Sequence, residues 1–162
     1  MPPGGQREGR AVSACVQQED FDVGAEIARL RGRDPRVGAV ACFVGTVRDV
    51  NDDTAVRTLT LEHYPGMTEK ALADIEAQAR GRFDVLDVRI IHRVGTLAPT
   101  DQIVLVAVTS AHRAEAFGAC EFLMDYLKTR APFWKREHLK DGTTGAWVDA
   151  KAEDDAAAER WR

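Results

Sequence analysis

Hydrophobic and polar positions alternate along this chain with two different periods, and the switches between them mark out the elements. Val23, Ile27 and Leu30 fall at i, i+4 and i+7, which predicts a helix over 22–31. Ala39 to Val44 is a short apolar run stopped by Gly45, which reads as a strand. Arg57 to Tyr64 alternates with period two and predicts a second strand, broken by Pro65-Gly66. Thr68 then stands as the N-cap of a helix through about Arg80, with Leu72, Ile75 and Ala79 facing inward. Val85 to Val94 is a strand closed by Gly95. Gln102 to Thr109 is nearly all apolar, as expected of a central strand. Ser110 is placed to cap a long helix from His112 to Thr129. A last β segment begins at Phe133 and continues around Ala146-Trp147-Val148. The order predicts an α+β fold with a mixed, mostly antiparallel sheet and packed helices.

Residues 1–14 read as a disordered leader, 15–150 as a single domain, and 151–162 as a C-terminal tail or short helix with an acidic start. A chain of 162 residues suits one core. The N-terminus lacks the apolar stretch of a signal peptide, and no run is long enough to span a bilayer, so a cytoplasmic protein without a membrane partner is the expectation. Cys15, Cys42 and Cys120 are odd in number and lack metal-ligand spacing. They are expected to be small buried hydrophobes rather than a disulfide framework or a metal site.

Charge changes the picture locally. The formal net charge is -4, which argues against a dedicated nucleic-acid binder. Yet Tyr126 to Glu137 packs four cations and three aromatic rings into twelve residues around Pro132. The proline forbids one unbroken helix through Lys128 and Lys135. On a helical wheel Arg113, Phe117, Cys120, Met124 and Lys128 share one stripe, with three core-like residues between two terminal cations. Those cations could snorkel to solvent. Alternatively, His112 and Arg113 form an anion site in the first helical turn, where the dipole and the open N–H groups already favour negative charge. At the other end the Pro132 break folds Lys135 back toward Lys128. A lysine beside apolar groups and a second cation gives up its proton more readily, which suits proton transfer or nucleophilic work. Arg113 and Lys128 lie fifteen residues apart, so a straight helix separates them by roughly 22 Å and one small ligand cannot touch both in one chain. If both serve one site, two copies must contribute. Arg48, after Gly45 in Phe43-Val44-Gly45-Thr46-Val47-Arg48, is either a surface residue or part of a ligand loop.

Three segments resemble the large, catalytic subunits of molybdopterin synthase: Leu61 to Leu72, Val108 to Arg113, and Met124 to Glu137. The resemblance covers about residues 37–150. It implies an α/β hammerhead fold and an enzyme, a sulfurtransferase, that converts cyclic pyranopterin monophosphate into molybdopterin. The sulfur would arrive as a thiocarboxylate on the C-terminal glycine of a small ubiquitin-like partner. Two large and two small subunits would form a heterotetramer around a homodimer of this chain, with no cofactor, metal or nucleic acid. By motif, Lys128 and Lys135 match the key catalytic lysines. Arg48, His112 and Arg113 match substrate-binding positions, as do Thr46, Val47, Arg136 and Glu137; Phe43 and Met124 match pocket-lining ones. Thr46 stands where some relatives have lysine, so the resemblance implies a backbone contact there. Two other classes stay open on the residues alone: a non-catalytic binder of phosphorylated metabolites, and a single-stranded RNA binder using Phe133 and Trp134, which the acidic balance disfavours.

Overall fold

A computed structural model describes residues 13–51, 54–148 and 152–162. The strands are β1 (Ala14–Gln17), β2 (Ala39–Thr46), β3 (Val50–Asn51), β4 (Thr54–His63), β5 (Asp87–Arg93), β6 (Gly95–Leu97), β7 (Gln102–Ser110), β8 (Phe133–Leu139) and β9 (Thr144–Val148). The helices are α1 (Val23–Arg31), α2 (Met67–Arg82), α3 (Arg113–Arg130) and α4 (Ala152–Glu159). The mixed α+β architecture is as expected, but the strands divide into two sheets. One has the order β1-β5-β7-β2; the other runs β3-β4-β8-β9, with β6 beside β4. Only the β1–β5 pair is parallel among the described strands. No described helix is long and apolar enough to cross a membrane.

The main core lies where α2 and α3 cover the first sheet. Leu72, Ile75, Val88, Ile90, Val106, Val108, Phe122 and Leu123 are all at most 2% exposed there. Burying a side chain of this size contributes about 1.5–3 kcal/mol. A smaller cluster of Val47, Leu59, Leu61 and Leu97 joins the two sheets.

Local chemistry explains where the elements depart from expectation. Helix α2 starts one residue before Thr68: Gly66 is its N-cap at φ 84, and the Glu69 carboxylate accepts the Gly66 N–H at 2.6 Å. A left-handed φ suits glycine, so the cap falls there rather than on threonine. Thr68 is instead wholly buried; its hydroxyl donates to the Pro132 carbonyl and accepts from the Tyr64 N–H, both at 3.1 Å. Ser110 ends β7 and donates to the Asp84 carbonyl at 2.7 Å, while His112 is the N-cap of α3. Gly45 does not end β2. The strand runs on to Thr46 through a register shift. A Cβ on Gly45 would meet Val104 Cγ1 at 2.9 Å, so a close approach needs glycine there. The strand expected to close at Gly95 ends at Arg93, and Gly95, at φ 94, also opens β6.

The ends of the chain are more integrated than their composition suggests. The expected leader covers residues 1–14; residues 1–12 lie outside the described residues, and Ala14 is already in β1. The Ser13 carbonyl accepts the Ile90 N–H at 2.7 Å. At the other end α4 packs on α3. Trp161 sets its ring edge-on to Phe83 and Phe122, and its Nε1 donates to Asp125 at 2.7 Å. Of the cysteines, Cys120 is buried as expected, Cys15 is half-buried, and Cys42 is exposed on the edge strand β2.

Candidate active site

The α3–β8 corner places both lysines at one cleft. Helix α3 ends at Arg130 because Ala131 is extended at ψ 131 and Pro132 follows. The chain then enters β8, which pairs antiparallel with β4, matching Lys135 to Leu61 and Glu137 to Leu59. Side chains alternate along a strand, so Lys135 and Glu137 share one face. With Lys128 they line a hollow of roughly 150 Å³ together with Thr46, Val47, Arg48, Leu59 and Ile103. Six of the residues expected at the site therefore meet in one chain: Thr46, Val47, Arg48, Lys128, Lys135 and Glu137.

The loop after β2 is held firmly where it carries Arg48. The Val47 N–H donates to the Asp101 carbonyl at 2.9 Å, and the Val47 carbonyl accepts the Thr100 N–H at 2.8 Å. Val47 is buried, whereas Arg48 is exposed. A cation is thus presented at the cleft from a backbone pinned on both sides. Leu59 and Ile103 supply an apolar floor that motif matching did not single out. Their signal was the alternation of β4 and the apolar run of β7.

Other expected residues lie elsewhere. His112 and Arg113 are exposed at the far end of α3, which runs unbroken for 18 residues. The rise of a helix puts them roughly 22 Å from Lys128, so they do not share its cleft within one chain. Arg136 points to the opposite face of β8 from Lys135. Its guanidinium lies 4.3 Å from the Trp147 ring centre, and its Nε is buried without a hydrogen-bond partner among the described residues. Phe43 is 41% exposed on β2, and Met124 is half-buried at the core edge; neither lines the cleft.

The stripe drawn along α3 also shifts. Phe117 is 66% exposed rather than core. The buried face carries Ala116, Ala119, Cys120, Phe122, Leu123, Tyr126 and Leu127, centred roughly a third of a turn away, so that only Cys120 belongs to both. Lys128 is exposed, so apart from the floor of Leu59 and Ile103 its own chain does not enclose it in the apolar surroundings expected. Phe133 and Trp134, expected to line a route or the core, divide: Phe133 packs against the core, and Trp134 is 44% exposed.

A larger hollow, of roughly 230 Å³, lies between α1 and β5. Glu26 there is bound to Arg29 and to Arg89, the latter at 3.1 Å, so its charges are matched internally. The lysine cleft, with three cations around an apolar floor, is the better fit to an anionic ligand.

Comparison with known proteins identifies the family. The family model described as MoaE protein matches residues 16–130. The chain is 61% identical over 146 residues to a molybdopterin synthase catalytic subunit of Ralstonia nicotianae, covering 90% of this chain and 82% of that one. Among solved structures, a molybdopterin biosynthesis MoaE protein from Burkholderia ambifaria superposes with a TM-score of 0.79 at 56% identity, covering 93% of this chain and 98% of the other. A molybdopterin synthase from Staphylococcus aureus gives 0.75 at 30% identity, covering 83% and 95%. With its fold, its motifs and the greater part of its length in agreement, this chain belongs to the MoaE family.

Proposed function

We propose that this chain is the catalytic subunit of a molybdopterin synthase, a sulfurtransferase that moves sulfur from the thiocarboxylated C-terminus of a small ubiquitin-like subunit to cyclic pyranopterin monophosphate. The observation that carries the chemistry is the joining of Lys128 and Lys135, from either side of the Pro132 break, with Arg48 in one cleft. Two ammonium groups stabilise negative charge developing at the thiocarboxylate carbonyl and move protons as sulfur attacks the pterin. Arg48 offers a planar fork to the cyclic phosphate. The backbone of Thr46 and Val47 borders the same space. No cysteine is required as sulfur donor, and the buried thiol of Cys120, pushed up to about 11 chiefly by burial, is a poor nucleophile.

The site is completed by a second copy of the chain in this proposal. His112 and Arg113 of one protomer face Lys128 and Lys135 of the other, and the helix length supports that division. The first turn of α3 has no side-chain cap, which leaves its N–H groups open to an anion. The exposed rings of Phe117 on α3 and Phe43 on β2 are apolar surface that a partner would cover. Arg136, on the outer face with Trp147, would reach substrate only through such an assembly. A cytoplasmic location and a heterotetramer of two large and two small subunits are part of the same proposal and rest on the family relationship.

Reconstitution tests it. The chain mixed with thiocarboxylated small subunit and cyclic pyranopterin monophosphate should yield molybdopterin, and Lys128→Ala should abolish the product. No product with an intact partner, or full activity in that variant, would overturn the proposal.

A further inference from the structure

The last residues of β5 approach the lysine cleft and carry a histidine for which the proposed chemistry has no role. His92 is 5% exposed. Its ring lies flat on Phe133, with centroids 3.7 Å apart and planes 15° from parallel. Its Nδ1 is 2.8 Å from the Arg93 carbonyl oxygen. A carbonyl only accepts, so Nδ1 carries the proton and a neutral ring keeps its lone pair on Nε2. Burial pushes the imidazole down to about 4 against the opposing hydrogen bond to the Arg93 carbonyl, and the charges of Lys128 and His63 act in the same direction as burial. Lys128 is therefore within electrostatic reach of the ring. His63 stands opposite Phe133 in the β4–β8 register and lies 3.5 Å from Glu69.

Phe133 is the first residue of β8, two before Lys135. The chain between the two lysines is held at Pro132 by Thr68 and at Phe133 by His92. The first contact comes from α2 and the second from the other sheet, so together they set where β8 begins relative to the end of α3.

We propose that His92 is a positioning residue for the lysine pair: stacked on Phe133, it fixes Lys135 relative to Lys128. The kinetic part of this inference rests on the sulfur-transfer proposal; the spectroscopic part does not.

The test compares wild type, His92→Ala and His92→Phe in the reconstituted reaction, with imidazole nitrogen NMR on the folded protein. Alanine removes the stack, and kcat should fall about tenfold or more with KM for the pterin within about twofold, as expected for misplaced reacting groups. Phenylalanine restores a flat ring without nitrogens and should recover most of that loss. The spectra should show a neutral ring protonated at Nδ1 from about pH 8 down to about pH 5. A folded His92→Ala enzyme with wild-type kcat would overturn the inference. So would a His92→Phe enzyme as impaired as the alanine variant, a ring protonated at Nε2, or one titrating near its ordinary value. If wild type makes no molybdopterin, the sulfur-transfer proposal fails and the spectra decide on His92 alone. If the alanine variant does not fold, the phenylalanine variant and the spectra decide.

Discussion

Replacing Thr68 by valine should loosen both the fold and the site, because one hydroxyl ties them together. Thr68 is wholly buried on α2, and its Oγ bridges the Tyr64 N–H and the Pro132 carbonyl at 3.1 Å each. Valine keeps nearly the same volume, so no cavity term arises. It leaves the Tyr64 N–H and the Pro132 carbonyl without their partner, both at a part-buried place beside the wholly buried Thr68 side chain. An intramolecular hydrogen bond contributes about 1 kcal/mol net, and a stranded buried group costs about 1–3 kcal/mol, so the loss should be about 2–3 kcal/mol. For a chain of this size that lowers the melting temperature by roughly 5–10 °C. Serine keeps the hydroxyl and deletes one methyl, costing about 1 kcal/mol. The assay is thermal and urea unfolding of the three proteins, followed by sulfur-transfer kcat well below every melt. Because Pro132 lies between Lys128 and Lys135, kcat should fall in Thr68→Val and hold in Thr68→Ser. A valine variant melting within about 1 °C of wild type would refute the reasoning, as would a serine variant that falls equally far.

Other outcomes follow from the same contacts. The Cys120 thiol, pushed up to about 11, should resist alkylation at about pH 8 until the protein unfolds, while exposed Cys42 reacts; mass mapping of labelled peptides checks this. Trp161→Ala removes a ring packed on Phe83 and Phe122 together with the Nε1 bond to Asp125, and should cost about 3–5 kcal/mol in urea unfolding. His92 takes up a proton at its ordinary value of 6.5 in the unfolded chain but only at about 4 when folded. Its contribution is thus complete above the higher value and is lost as pH falls toward the lower, a share of about 3 kcal/mol. Unfolding at about pH 7 and about pH 4.5 should show a shallower loss in His92→Phe than in wild type.

Periodicity found what periodicity can carry. The Val23–Leu30 spacing, the inward Leu72, Ile75 and Ala79, and the apolar run of β7 correspond to a helix, a buried helix face and an interior strand. What it could not carry was pairing. Ala14–Gln17 is too short to signal itself, and β1 exists because β5 offers an edge far away in sequence. The division into two sheets depends on which of β2 and β4 pairs with β7 or β8, which no local pattern encodes. Capping failed at Thr68 because a better backbone position for the turn lay two residues earlier, at a glycine. At the site, the proline break expected to fold Lys135 toward Lys128 accompanies a hollow lined by both, and strand alternation puts Glu137, which only the motif had grouped with them, on the face of Lys135. The same alternation separates Arg136, which motif matching alone had grouped with them. The α3 stripe misjudged Phe117 because a wheel gives phase but not which side the sheet occupies.

The central claim is a site shared between two copies, with Lys128 of one and Arg113 of the other. Lys128→Ala and Arg113→Ala should each be inactive alone. Co-expressed, the two chains should form hybrid dimers in which one of the two sites combines an intact Lys128 with an intact Arg113. Random pairing makes half of the dimers hybrid, each with one working site of two, so activity should return to about a quarter of wild type. Mixed dimers no more active than their parents would contradict a shared site.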